Sequence, residues 1–66
     1  MNVFINGQER EIPEDVSVLE LLLRLGLEPA RVAVELDGLI VKQPEWEFRI
    51  LKAGARLEIV HFVGGG

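Results

Sequence analysis

Side chains able to do chemistry are few in this 66-residue sequence, which holds one histidine, His61, one serine, Ser17, and no cysteine or tyrosine. A general base must sit within reach of the proton it takes, and the sequence gives His61 no partner to orient it. His61 reads instead as a strand residue on or near the core, its ring satisfied by a backbone group or water. Ser17 opens Ser17-Val18-Leu19-Glu20, a capping box, in which the hydroxyl takes the N3 amide and the glutamate reaches back. Glu14 and Asp15 stand just before that helix, where negative charge is favourable in any case. No glycine-rich loop leads into a lysine and a helix, and no two carboxylates share an apolar setting. The lack of cysteine removes disulfides, thiolate metal sites and a thiol nucleophile. The body of the chain therefore reads as non-catalytic.

What remains is main chain. The sequence closes on Phe62-Val63-Gly64-Gly65-Gly66, with no serine, asparagine or charge among the last five residues. Glycine is common in loose termini, so a flexible tail over residues 63–66 with no task is one reading. The other is functional. Without a Cβ, an extended glycine run enters a narrow tunnel and can be gripped on all sides. A terminal carboxylate on Gly66 is ionised at neutral pH and can attack the α-phosphate of ATP when an enzyme holds both with magnesium. The resulting acyl adenylate is open to sulfur or to an amine.

Those residues need a scaffold. Met1 to Ile5 reads as a short apolar strand. Asn6-Gly7 is a type I′ hairpin signal, because both central residues of that turn need positive φ. Gln8 to Ile12 returns as a mostly charged strand suited to a sheet edge. Pro13-Glu14-Asp15 breaks it, and a helix starts at Val18, with Val16 and Leu21 as a hydrophobic staple. Leu19, Leu22 and Leu23 are expected on its buried face, widened by Val18 with Leu25 or Leu21. Gly26 is the expected C′ residue, and Pro29 prevents continuation. Arg31 to Leu36 alternates as a third strand, Asp37-Gly38 is a second I′ signal, and Leu39-Ile40-Val41 follows. Lys42 to Arg49, with Pro44 and Trp46, is expected to be irregular. Leu51 to Gly54 turns, and Arg56 to Val63 is the last strand.

Composition sets the class. One domain, residues 1–66, is expected, and at this size a fold buries only about 60% of its unfolded surface. The 48% hydrophobic content offsets that, and with a net charge of −4 it argues against disorder. An acidic chain with pI near 4.8 lacks the basic footprint of a nucleic-acid binder and suits a basic protein surface. No apolar run is long enough to span a bilayer, and the start lacks signal-peptide character. No membrane or nucleic-acid partner and a cytoplasmic location are expected.

Strand parity then sorts the last strand. With Leu57, Ile59, His61 and Val63 toward the helix, Glu58, Val60 and Phe62 face the other way. Val3 and Ile5 face the helix, sending Phe4 outward with them. Phe4, Val60 and Phe62 are expected as an apolar patch beside the tail, either a docking surface or a surface covered by the loop around Trp46. Trp46 itself reads as a core cover beside a loop.

Hairpin, helix, hairpin-like pair and final strand form the order of an α+β β-grasp, or ubiquitin-like, fold: a mixed sheet with one main helix on one face. Its first and last strands are parallel neighbours at the sheet centre. With that order, the Asn6-Gly7 turn, "VLELLLRLGL", "VAVELDGLIV", the Trp46 region, "LKAGARLEIVHF" and the final "VGGG", the chain resembles the ThiS sulfur carriers of thiamine biosynthesis. It departs in having Gly54-Ala55 where the family usually has Gly-Asp, and Asp37 where Asn is frequent. The resemblance implies that a ThiF-type adenylyltransferase, using ATP and magnesium, adenylates the Gly66 carboxylate. Sulfur from a cysteine desulfurase relay then gives a thiocarboxylate, and thiazole synthase (ThiG) draws in the tail and moves the sulfur into the thiazole. Phe4, Val60, Phe62, Val63, Gly64 and Gly65 become partner-binding residues. The chain itself binds no cofactor or metal and is a co-substrate, not an enzyme. A molybdopterin-type carrier, a ubiquitin-like modifier joined to lysines, and an interaction module with an inert tail remain as alternatives.

Overall fold

Two tight turns organise the strands in the computed structural model, which describes residues 1–62. Asn6 (φ 50°) and Gly7 (φ 81°) join β1 (Asn2–Ile5) to β2 (Gln8–Glu11). Asp37 (φ 49°) and Gly38 (φ 88°) join β3 (Val32–Leu36) to β4 (Leu39–Val41) in the same way. Positive φ at both central residues is what a type I′ turn demands, and asparagine, aspartate and glycine tolerate it. The last strand, β5 (Arg56–His61), lies at the centre of a five-stranded sheet of order β2-β1-β5-β3-β4. It runs parallel to β1 and antiparallel to β3. The protein is thus the expected α+β mixed sheet with a single main helix. The charged strand β2 forms one edge, exposed along its whole length.

The helix α1 spans Val18–Arg24. Its start is the capping box read from the sequence: the Glu20 amide donates to Ser17 Oγ (3.1 Å), and the Ser17 amide donates to Glu20 Oε1 (3.4 Å). At its end the Leu27 amide donates to the Leu22 carbonyl and the Gly26 amide to the Leu23 carbonyl. Gly26 takes φ 74°, the left-handed conformation of a Schellman cap.

Val18, Leu21 and Leu22 bury against the sheet, and Leu19 and Leu25 pack beside them. Leu23, expected on that face, is 57% exposed. Positions 18, 21, 22 and 25 make one i, i+3, i+4, i+7 stripe, and Leu23 falls outside it. From the sheet come Val3, Ile5, Val34, Leu57 and Ile59, all buried. Trp46 closes one side of this core at 3% exposure, and its indole N–H donates to the Val41 carbonyl (2.8 Å). The segment around it, expected to be irregular, contains a 3₁₀ turn at Gln43–Glu45, and a second lies at Pro29–Arg31. Backbone bonds from Val18 to Arg49 and from Leu51 to Val16 fasten this segment to the start of α1.

Candidate functional site

The surface of interest is the face of the sheet turned away from α1, next to the strand that leads to the tail. Register decides who meets there. In the β3–β5 ladder Ala33 opposes Val60 and Glu35 opposes Glu58, and in the β3–β4 ladder Glu35 opposes Ile40. Directly opposed residues share a face, so these five lie together on the open side. Phe62 continues the alternation, its amide donating to the Arg31 carbonyl (2.8 Å) just beyond β5. Ile40 is 76% exposed, Val60 58% and Phe62 55%. The loop around Trp46 does not cover them, because the indole is committed to the helix-side core.

Phe4 does not join this group. The parallel β1–β5 register sets it beside Arg56, four residues before Val60 and so about 13 Å away along the strand. There the Arg56 guanidinium lies 4.8 Å from the Phe4 ring centroid, a cation–π contact that also shields the ring. The expected trio of Phe4, Val60 and Phe62 is therefore corrected to Ile40, Val60 and Phe62, with Ala33 as a small floor. Ile40 was missed, yet its place was available: a two-residue turn at Asp37-Gly38 forces Glu35 opposite Ile40. Val63, Gly64, Gly65 and Gly66, the predicted tail residues, lie outside the described residues.

His61 also moves from its expected place. It has the helix-side parity of Leu57 and Ile59 but is exposed. It borders an open hollow of about 250 Å³ with Asn6, Gln8, Arg10, Leu25 and Leu27. The short α1 ends at Arg24 and leaves this last inward position of β5 uncovered. One positioning contact was not legible. The Asn6 side chain donates to the Ile59 carbonyl (3.1 Å) and accepts from the Ile59 amide (2.7 Å). It extends the β1–β5 pairing beyond the turn and anchors the strand shortly before the tail. In sequence Asn6 reads only as a turn former.

Among the described residues, no three His, Cys, Asp or Glu side chains gather to hold a metal ion, and no helix is long and apolar enough to cross a membrane. The depressions are open, and among the described residues no titratable side chain is buried.

A β-grasp domain with an open, partly apolar sheet face beside its last strand is the class these features define. The chain belongs to the ThiS family, whose model matches residues 3–66. Its backbone superposes on the crystal structure of the thiamine biosynthesis protein ThiS from Geobacter metallireducens with a TM-score of 0.86, at 32% identity and with both chains covered in full. The solution structure of a thiamine biosynthesis protein from the same organism gives a TM-score of 0.83 at 33% identity, covering all of this chain and 88% of that one. In sequence the whole chain is 39% identical to part of a thiazole synthase from Paramagnetospirillum magneticum and 32% identical to part of one from Magnetococcus marinus. It spans about 20% of the length of each of these two relatives.

Proposed function

We propose that this protein is a sulfur carrier of thiamine biosynthesis that works through its main chain. Membership of the ThiS family across residues 3–66, a match that includes the glycine tail, carries the reading. In it the Gly66 carboxylate attacks the α-phosphate of ATP, held with magnesium by a ThiF-type adenylyltransferase, and pyrophosphate leaves. A persulfide relayed from a cysteine desulfurase displaces AMP to give an acyl disulfide. A second partner thiol attacks the relay sulfur, forming a disulfide there and releasing the thiocarboxylate. Thiazole synthase then takes that sulfur into the thiazole ring. The similarity to segments of two thiazole synthases supports this branch over molybdopterin synthesis and over conjugation to lysines.

The protein's own part is physical. A fold with β5 at its centre, hydrogen-bonded on both sides, gives the tail a fixed point of departure. Glycines at positions 64–66 fit a narrow channel in a partner. Ile40, Val60 and Phe62 provide apolar contact beside that point of departure. The absence of cysteine leaves no thiol in the chain to compete for the activated acyl group.

Intact mass spectrometry after co-expression with the adenylyltransferase and desulfurase tests this. The expected result is the mass gain of sulfur replacing oxygen, lost when Gly66 is deleted or when one residue is added after it. An unchanged mass with sulfur in ample supply, or ladders of lysine conjugates, would overturn the reading.

A further inference from the structure

The open face contains a pairing that folding alone does not explain. Glu35 and Glu58 are directly opposed on neighbouring strands, which places their Cβ atoms about 5 Å apart, and like charges so placed destabilise a sheet. Glu35 is half-buried and Glu58 exposed. Among the described residues the ion pairs are Arg31–Glu28 and Arg49–Glu45, so neither carboxylate has a cation within bonding distance. The next cation along β5, Arg56, lies over Phe4 instead. Glu58 is open to solvent, yet both glutamates sit among apolar neighbours. With Ala33, Ile40 and Val60 they line a shallow depression of about 180 Å³ in the middle of the apolar face.

Two acids set among exposed Ile40, Val60 and Phe62 select what can cover them. A second copy of this chain would bring four carboxylates onto one apolar surface. Nucleic acid and anionic lipid carry the wrong sign. A surface of apolar side chains alone would bury both charges unpaired, which is strongly unfavourable. A guanidinium fits: it is planar, keeps its charge and offers five N–H donors in a fixed fork, enough to reach both acids at once.

We infer that this face docks a protein partner through an arginine that enters between Glu35 and Glu58, with apolar side chains of the partner packed on Ile40, Val60 and Phe62. The partner is the adenylyltransferase of the proposed function, and the inference rests on that reading. The like-charge pair is then a cost carried by the free protein and relieved in the complex.

Calorimetric binding of the full-length chain to the ThiF-type adenylyltransferase without ATP tests it, alongside urea unfolding of each variant. Glu35→Gln and Glu58→Gln should each weaken binding about tenfold or more, the order expected for one member of a desolvated charge pair. Glu58→Arg should abolish it. The unaltered chain should bind more weakly as salt rises, and the double glutamine variant should lose most of that dependence. Neither glutamine variant should unfold at lower urea than the unaltered chain, since repulsion has been removed. If the unaltered chain binds and both glutamine variants bind equally well, the arginine inference is overturned while the carrier reading stands. Dimerisation of the free chain that the double variant abolishes would overturn it as well, assigning the face to a second copy. If the unaltered chain does not bind the adenylyltransferase at all, the carrier reading fails and this inference falls with it.

Discussion

The two faces of the sheet are made by the same strands and obey opposite rules. Toward α1, Val34, Leu57 and Ile59 meet Leu21 and Leu22, with exposures from 0% to 9%. On the other side, neighbours one residue away, Glu35, Glu58 and Val60, are half-buried or exposed. Apolar burial drives folding on the first face. On the second, two charges repel and apolar side chains stay wet. A strand alternates strictly, so one stretch of sequence can serve both tasks without compromise. Burial and exposure are thus divided residue by residue along the same strands.

Substitutions can break or sharpen that separation. The largest loss is expected from Leu22→Ala, which empties a fully buried position under α1 and should cost about 2–5 kcal/mol by urea unfolding. For so small a domain that is a large share of the total. Trp46→Phe should cost about 1–3 kcal/mol by the same measurement, because it leaves the Val41 carbonyl without its indole donor. Asn6→Ala should cost about 1–2 kcal/mol, since it removes both bonds to Ile59 and puts a Cβ-bearing residue without a local hydrogen bond at positive φ. Asn6→Gly, which relieves the φ but not the bonds, should recover part of that loss. The smallest change in stability, within about 0.5 kcal/mol, is expected from Phe62→Asp on the open face. That variant should still bind the adenylyltransferase measurably worse. If Phe62→Asp unfolds the protein, or if Leu22→Ala does not destabilise it, the division between the faces is wrong.

How far the sequence could be read depended on the distance over which each rule acts. The turns at Asn6-Gly7 and Asp37-Gly38, the capping box at Ser17 and the Gly26 stop are set by residues within one turn of each other, and all were legible. Strand parity was equally local, so Val60 and Phe62 were assigned to the open side correctly. Pairing across the chain was not legible in the same way. Phe4 faces outward as expected, but only the parallel register with Arg56 showed that it lies too far from Val60 to share a patch. His61 has the inward parity read from the sequence, yet it is exposed because α1 stops short of it.

What the sequence determined by itself was therefore the strands and the main helix, their order, the faces of β1 and β5 residues, and the composition of the tail. The tertiary structure decided which side chains meet: Ile40 with Val60, Glu35 with Glu58, Arg56 with Phe4, and the Asn6 amide with Ile59. The physical reason is that turns, caps and alternation follow from the backbone conformations of neighbouring residues. Register between β1 and β5, more than fifty residues apart in the chain, follows instead from the packing of the whole core and the hydrogen bonds it aligns.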